Sequence, residues 1–378
     1  MSVIWQELSK QHNTLADAML PLAAEASADA ACPVDFADRS SDFPQPLREF
    51  LQQVAVHAPH LRHLMQQDED RLQNLCDSGF DTFLANATQR LHSSLLNATD
   101  DAEAMSGLRH YKQNTALCIA LWDIADAVAQ SAILAALSQA AELSVEAGLR
   151  YLVGREIESG KCIYDLPETG LDGLGFVLLG MGKLGGWELN YSSDIDLIAL
   201  YDRDAAVLAE GQEPSVFWVR LLKRLVRLLQ ERTGDGYVYR MDLRLRPDPG
   251  STPLAVSVAG ALQYYEGTGQ NWERAALIKA RPIAGDKPLG DEFLADVSPF
   301  IWRKYLDYAA IEDIQAIKRQ IHAHKGFGKI RSAGHNIKLG RGGIREIEFF
   351  VQTQQLIAGG RNPELRDRMT LSGLTRLQ

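Results

Sequence analysis

Residues 176–201, FVLLGMGKLGGWELNYSSDIDLIALY, constrain what this chain can fold into more tightly than any other stretch. Phe176, Val177, Leu178 and Leu179 form an apolar run, short and bounded by glycine, that reads as a strand buried on both faces. In the turn that follows, Gly180, Gly182, Gly185 and Gly186 permit positive φ and leave no β-carbon in the way, so backbone amides can approach a phosphate, with Lys183 as a point charge. Residues 187–190 read as one helical turn. Asp194 to Leu200 then reads as a second strand. Residues two apart share a face, so Asp194 and Asp196 project together while Ile195, Leu197 and Ala199 point the other way. Two carboxylates pushed together repel each other unless a cation sits between them. A hard divalent ion, magnesium or manganese, is the natural partner, because such ions combine one or two carboxylates with substrate phosphates of the kind the glycine turn would hold.

The second strong signal is GYVYRMDLRLRP, residues 236–247. Its alternation puts Tyr237, Tyr239, Met241, Leu243 and Leu245 on a core face and Arg240, Asp242, Arg244 and Arg246 on the opposite face, ahead of Pro247. One acid among three cations is an odd surface decoration. If this strand lies beside the one bearing Asp194 and Asp196, Asp242 completes a three-carboxylate metal site and the arginines face phosphate oxygens.

The rest of the chain frames these two segments. Residues 1–128 are rich in alanine, leucine and glutamine and read as several helices, with Leu47, Phe50, Leu51, Val54 and Ala55 at helical spacing and Leu117, Leu121, Ile124, Ala125 and Val128 repeating it. His57, His60 and His63 have no acidic ligand among them and read as exposed or capping residues rather than a metal site. A long helix is expected from Ser131 to Glu158, and another from Pro214, with Val216, Val219, Leu222, Leu225, Val226 and Leu229 as its apolar stripe and Lys223, Arg224 and Arg227 solvated. Residues 257–283 read as two helices with Ser257 as N-cap and Gly267 and Gly269 as the break. From Pro299 the chain reads as helical again, through YAAIEDIQAIKRQIHAH, and Gly340, Gly342 and Gly343 precede an amphipathic helix; whether they admit a ligand or only shape a turn stays open here. The resulting division is a helical region over 1–128, a catalytic domain over 129–297 and a helical region over 298–378.

Net charge is −10, which argues against a general affinity for nucleic acid, although residues 1–100 carry 14 acids against 6 bases and residues 301–378 carry 7 acids against 14 bases. Cys32, Cys76, Cys118 and Cys162 lie more than forty residues apart and read as reduced, buried thiols. No uninterrupted apolar run has the length needed to span a bilayer, and the N-terminus lacks the basic-then-apolar layout of a secretory signal, so the expectation is a cytoplasmic protein that does not meet a membrane.

The glycine turn followed by Asp-x-Asp resembles the nucleotidyltransferase signature. GMGKLGGWELNYSSDIDLI, VYRMDLRLRP, NWERAALIKAR and GRGGIREIEFFVQ, in that order, are similar to the glutamine synthetase adenylyltransferase/adenylyl-removing family. The resemblance, over residues 175–360, implies an α+β fold: a small mixed sheet of nucleotidyltransferase type flanked by helices, with helical N-terminal and C-terminal regions. It implies that Asp194, Asp196 and Asp242 are the catalytic and metal-binding acids. It further implies that Gly180, Gly182, Lys183, Gly185, Ser192 and Ser193 cradle nucleotide phosphates, that Arg244 and Arg246 bind incoming phosphate, and that Lys279 and Arg281 are further phosphate contacts. Family members carry two such domains in tandem. One removes AMP from a tyrosine of glutamine synthetase by phosphorolysis, giving ADP; the other attaches AMP from ATP. A single glycine turn and Asp-x-Asp behind an N-terminal helical region implies a fragment holding the removing domain. The implied partners are glutamine synthetase, a PII-type nitrogen-signalling protein, inorganic phosphate and ADP or ATP. The alternatives are AMP attachment by the same fold and a non-catalytic module that senses nucleotide or PII.

Overall fold

A computed structural model of the 378-residue chain describes Leu15, residues 43–304, 334–338 and 340–378. The helix expected over residues 308–324 lies outside them, as does Cys32. By internal contacts the described residues fall into two compact units. One takes the chain up to Gly148 together with Asn190–Ser192 and Leu228–Val238; the other takes Leu149–Leu189, Ser193–Arg227 and Tyr239–Gln378.

The first unit is helical: α1 (Gln45–His57), α2 (Pro59–Gln67), α3 (Glu69–Asp77), α4 (Phe80–Asn97), α5 (Asp101–Ile124) and the greater part of α6 (Gln130–Glu158). Local chemistry sets the boundaries. Proline opens α2, where a missing N–H costs no hydrogen bond, and the Asp100 carboxylate accepts from the Ala102 and Glu103 amides to cap α5. The α1 stripe is buried through Leu47, Leu51, Val54 and Ala55, as its spacing predicts. Helix α6 is long and apolar enough by composition to cross a membrane, but 67% of its most apolar window is buried inside the fold, which makes it a core helix. Cys76 and Cys118 are buried thiols here, as Cys162 is in the second unit, and burial pushes all three above the ordinary thiol range.

The second unit is built on a five-stranded mixed sheet. β1 (Phe176–Gly180) pairs antiparallel with β2 (Ile195–Tyr201), with Leu179 opposite Ile198, and on its other side antiparallel with β5 (Arg281–Gly285). Two short strands run parallel to β2: β3 (Met241–Asp242) at its start and β4 (Ala255–Ser257) at its end. Every residue of β1 is buried, and Asp196 alone breaks the burial of β2, so the sheet is covered on both faces. One core layer gathers Val177, Leu179, Ile198 and Leu200 with residues of α9 (Val258–Gly267), α10 (Asn271–Leu277), α11 (Lys287–Ile301) and α12 (Ile344–Ala358). Phe176 stacks on Trp218 of α8 (Pro214–Gln230), centroids 4.7 Å apart. A single turn α7 (Gly182–Gly185), a 3₁₀ turn over Pro363–Leu365 and α13 (Thr370–Arg376) complete the fold. The expected α+β class, a small mixed sheet flanked by helices, is what forms.

Several elements differ from expectation. The helical turn forms on the glycines themselves, Gly182–Gly185, and not on residues 187–190. The buried side of α8 is Phe217, Trp218, Leu221, Leu222, Leu225, Leu228 and Leu229, whereas Val216 is 62% exposed. Arg224 is not simply solvated: its Nη1 donates to the buried Glu156 carboxylate at 2.7 Å. Ser257 does cap α9, accepting from the Gly260 amide. The second expected helix, however, stops at Leu277, and Arg281–Gly285 is a sheet strand.

Candidate active site

The Asp-x-Asp pair sits where β2 begins. Asp194 is half exposed and precedes the first paired residue, while Asp196 is the partly buried second residue of the strand. β3 runs parallel beside it in the register Ile195 to Met241 and Asp196 to Asp242, and the Ile195 amide donates to the Arg240 carbonyl at 2.9 Å. The condition set by the sequence, a second acid-bearing strand next to the first, is therefore met. Asp196 carries the electrostatic consequence: burial first, then the Asp242 and Asp194 carboxylates, raise its pKa to about 6. Lys338 and Arg244 act in the opposite direction.

The acids are nonetheless not gathered into a cage. Among the described residues no three Asp, Glu, His or Cys side chains converge on one point. Asp194 instead accepts from Arg240 Nε at 2.5 Å, and Asp242 accepts from the Arg244 Nε and Nη2 atoms at 3.0 and 2.5 Å. Those contacts hold the Asp242 carboxyl below the usual carboxylate range. The donor set still suits a hard divalent ion: all donors are carboxylate oxygens, and the charge crowded on Asp196 is the kind a cation relieves. The expected metal site thus stands as three neighbouring acids, two of them turned onto arginines, and not as a formed cage.

The glycine turn lies against this pair. Gly182 has φ +52°, and a β-carbon there would sit 2.8 Å from Asp196 Oδ2, so only glycine lets the backbone pass so close to the carboxylate. The Met181 amide donates to the Asp196 carbonyl at 2.9 Å, tying turn to strand. Lys183 is partly exposed on the turn and makes no ion pair among the described residues. Gly180 and Gly185 serve packing: a β-carbon at 180 would meet Ile283 at 2.7 Å, and one at 185 would lie 2.0 Å from the Lys279 carbonyl oxygen. Ser193 is partly buried just ahead of Asp194, and Ser192 is exposed and belongs with the helical unit.

Three expected phosphate contacts are occupied otherwise. Arg246 is buried and donates to the carbonyls of Leu243, Pro249 and Thr252, holding a turn. Arg281 is buried, donates to the Leu184 and Gly185 carbonyls at 3.0 and 3.2 Å and lies 3.6 Å over the Trp187 ring. Lys279 is buried and donates to Glu188 at 2.7 Å and to Thr370 at 2.9 Å. A buried cation needs polar partners, and backbone carbonyls or a carboxylate have taken that place. Arg244, 84% exposed on its side chain, remains at the acid cluster. Two residues were missed. Trp187, at φ +56°, forms the shelf for Arg281, and Lys338 carries positive charge toward Asp196 from the glycine-rich segment before α12. The only sequence signal for Lys338 was that glycine cluster.

Comparison with known proteins places this geometry in a family. The family model described as glutamate-ammonia ligase adenylyltransferase matches residues 48–296, and one described as GlnD PII-uridylyltransferase matches residues 314–378. Relatives named bifunctional glutamine synthetase adenylyltransferase/adenylyl-removing enzyme include that of Rhizobium meliloti strain 1021, 51% identical over 86% of this chain and 34% of the relative. Those of Bradyrhizobium diazoefficiens and Agrobacterium fabrum are each 49% identical, over 86% and 88% of this chain and 33% and 34% of theirs. The chain spans about a third of the length of these relatives. Since the first match takes in well over half of the residues, including the sheet, the glycine turn and all three acids, the chain belongs to the glutamate-ammonia ligase adenylyltransferase family.

Proposed function

We propose that this chain removes AMP from an adenylylated tyrosine of glutamine synthetase by phosphorolysis. The observation that carries this reading is the pairing of Asp196 with Asp242 beside the Gly182 cradle. An oxygen of inorganic phosphate attacks the α-phosphorus of the tyrosyl-AMP ester. The new P–O bond makes ADP, the bond to the tyrosine oxygen breaks, and the phenolate takes a proton. Phosphate is already largely deprotonated near neutral pH, so no strong general base is needed; the harder demand is the leaving phenolate, whose reference pKa is about 10.

In this reading Asp194, Asp196 and Asp242 hold a divalent cation, magnesium or manganese, whose chemistry when bound is to neutralise charge on the phosphoryl oxygens. The Gly182 backbone and Lys183 seat the nucleotide phosphates. Arg240 and Arg244, paired with Asp194 and Asp242, are the positive charges that meet incoming phosphate. Lys338 adds positive charge near Asp196. Arg246, Lys279 and Arg281 shape the site and do not contact substrate. Regulation through a PII-type protein is part of the proposal, supported by the description of the second family model.

The test is product analysis. Incubation with adenylylated glutamine synthetase, phosphate and magnesium is expected to give ADP; pyrophosphate from ATP with unmodified glutamine synthetase would assign attachment instead. No nucleotide product in either assay, together with no magnesium or manganese binding, would leave a non-catalytic module.

A further inference from the structure

The single turn α7 is tied down by residues remote from it in the chain, all of them within the sheet unit. From β5, Arg281 donates to the Leu184 and Gly185 carbonyls. Just past the turn, the Glu188 amide donates to the Lys183 carbonyl at 2.8 Å, as the Gly186 amide does to the Gly182 carbonyl at 3.1 Å. The Glu188 carboxylate reaches the start of α13: Oε1 accepts from the Thr370 amide at 2.6 Å, and Oε2 accepts from Thr370 Oγ1 at 2.9 Å and from Lys279 Nζ at 2.7 Å. Lys279 Nζ, which is buried, also donates to Thr370 Oγ1 at 2.9 Å, so that hydroxyl accepts from the cation and donates to the acid. Glu348 Oε1 of α12 lies 3.7 Å from the same Nζ. The chain ahead of Thr370 lies against the turn: Arg368 Nε donates to the Ala280 carbonyl at 2.9 Å, and a β-carbon at Gly186 would sit 2.9 Å from the Arg368 carbonyl oxygen.

A buried ammonium keeps its partners, because parting from them would strand a charge away from water. Cation, acid and hydroxyl close a triangle here, so none of the three can leave without breaking bonds of the other two. A turn rich in glycine has wide conformational freedom and does not hold one shape by itself. Its shape has to come from ties such as these, and they run from Thr370 through Glu188 to the Lys183 carbonyl, one residue from the Gly182 backbone that approaches Asp196. We infer that Glu188, Lys279 and Thr370 are positioning residues: they latch the segment at the start of α13 to the glycine turn and set where the Gly182 and Lys183 backbone stands beside Asp196. The inference rests on the reading of that turn as the seat of the nucleotide phosphates. None of the three touches substrate.

The experiment compares Thr370→Val, Thr370→Ser and the double variant Glu188→Leu with Lys279→Met in the 378-residue chain. Three readouts are taken: turnover of adenylylated glutamine synthetase at varied phosphate, amide exchange over residues 181–187, and the melting temperature. Thr370→Val keeps the side chain's shape and the backbone bond to Glu188 while losing both hydroxyl bonds, so it is expected to fold. It should lower kcat roughly tenfold, the size of one lost hydrogen bond to a charged group, with phosphate KM within twofold, and raise exchange over the turn severalfold. Thr370→Ser keeps the hydroxyl and should restore both. The double variant replaces a buried ion pair by apolar side chains and should melt within a few degrees of wild type, while its kcat stays at least roughly tenfold low. Wild-type kcat in that variant would show that the pair serves the fold alone and would overturn the inference, as would wild-type kcat or wild-type exchange in Thr370→Val. If the double variant does not fold, Thr370→Val decides alone. Should the parent chain turn over no adenylylated substrate, the functional reading fails, and exchange over the turn in Thr370→Val decides whether the latch holds it.

Discussion

Asp196 is where the charge balance of the site is decided. Burial and the carboxylates of Asp242 and Asp194 raise it from 3.8 to about 6, so the folded chain holds that proton more tightly than the unfolded one. For an acid shifted upward, the stabilising contribution is complete below about pH 4 and is lost as pH climbs through 6. Asp196→Asn should therefore raise the melting temperature by a few degrees at pH 7.5 and hardly change it at pH 4. Millimolar magnesium should raise the wild-type melting temperature at pH 7.5 and fail to raise that of the variant. Thermal melts at the two pH values check both; an equal shift at both would show that packing, and not charge, is responsible. Turnover in the same variant should fall by roughly 10²–10³-fold, as when a single preorganised electrostatic group is removed. Asp194→Asn should lose turnover with little change in stability, because its exposed pair with Arg240 is worth little to the fold. These acids were legible because a two-residue period puts them on one face wherever the strand ends. The burial of Arg246, Lys279 and Arg281 was not legible for the complementary reason: a cation's sequence neighbours do not tell whether it will be buried, and these turn inward to cap carbonyls or meet Glu188.

At the scale of elements, the turn Gly182–Gly185 depends on two glycines for different reasons. Gly182→Ala forces a side chain into φ +52° and brings its β-carbon 2.8 Å from the Asp196 carboxylate. The expected cost is about 1 kcal/mol of stability, with a far larger loss of turnover as the acid is displaced. Gly185→Ala puts a β-carbon 2.0 Å from one backbone carbonyl oxygen and 2.5 Å from another, neither of which can yield like a flexible side chain. It should destabilise by several kcal/mol, of the size seen for overpacked cores, and reduce soluble yield. Urea melts and kinetics on both variants separate the two: a Gly182→Ala protein with normal kcat would show that turnover does not depend on the close approach of this turn to Asp196. The strand-turn-strand core could be read in advance since its apolar runs are bounded by glycine. β3 could not. The alternation of residues 237–246 predicts a long strand, but the Asp242 carboxylate accepts from the Arg244 amide at 2.9 Å, and that local turn bends the chain out of the sheet after two residues. β5 was hidden by alanine and lysine in KARPI, whose helical propensity yields to antiparallel pairing with β1.

At the scale of the whole molecule, the question is which nucleophile the site accepts, and the chemistry of the bond being broken allows a sharp test. Net charge of −10 gives no general attraction for polyanions, so phosphate must be drawn by local cations, for which Arg244, Arg240, Lys183 and Lys338 are the candidates near the acids. If free phosphate attacks the α-phosphorus, AMP should leave the tyrosine only when phosphate is present, and each tyrosine freed should be matched by one ADP. Arsenate has the same shape and charge, and its mixed anhydride with AMP falls apart in water. It should therefore sustain release of the modification while AMP, not ADP, accumulates. Arg244→Gln removes the most exposed of these arginines and should raise the phosphate KM by about tenfold, the scale of one charge-assisted contact, with a smaller change in kcat. Nucleotide chromatography after incubation with phosphate, arsenate or neither checks the series. Release of AMP with neither anion would mean that water is the nucleophile, and the cluster of acids and arginines would then have to be understood as a hydrolytic site.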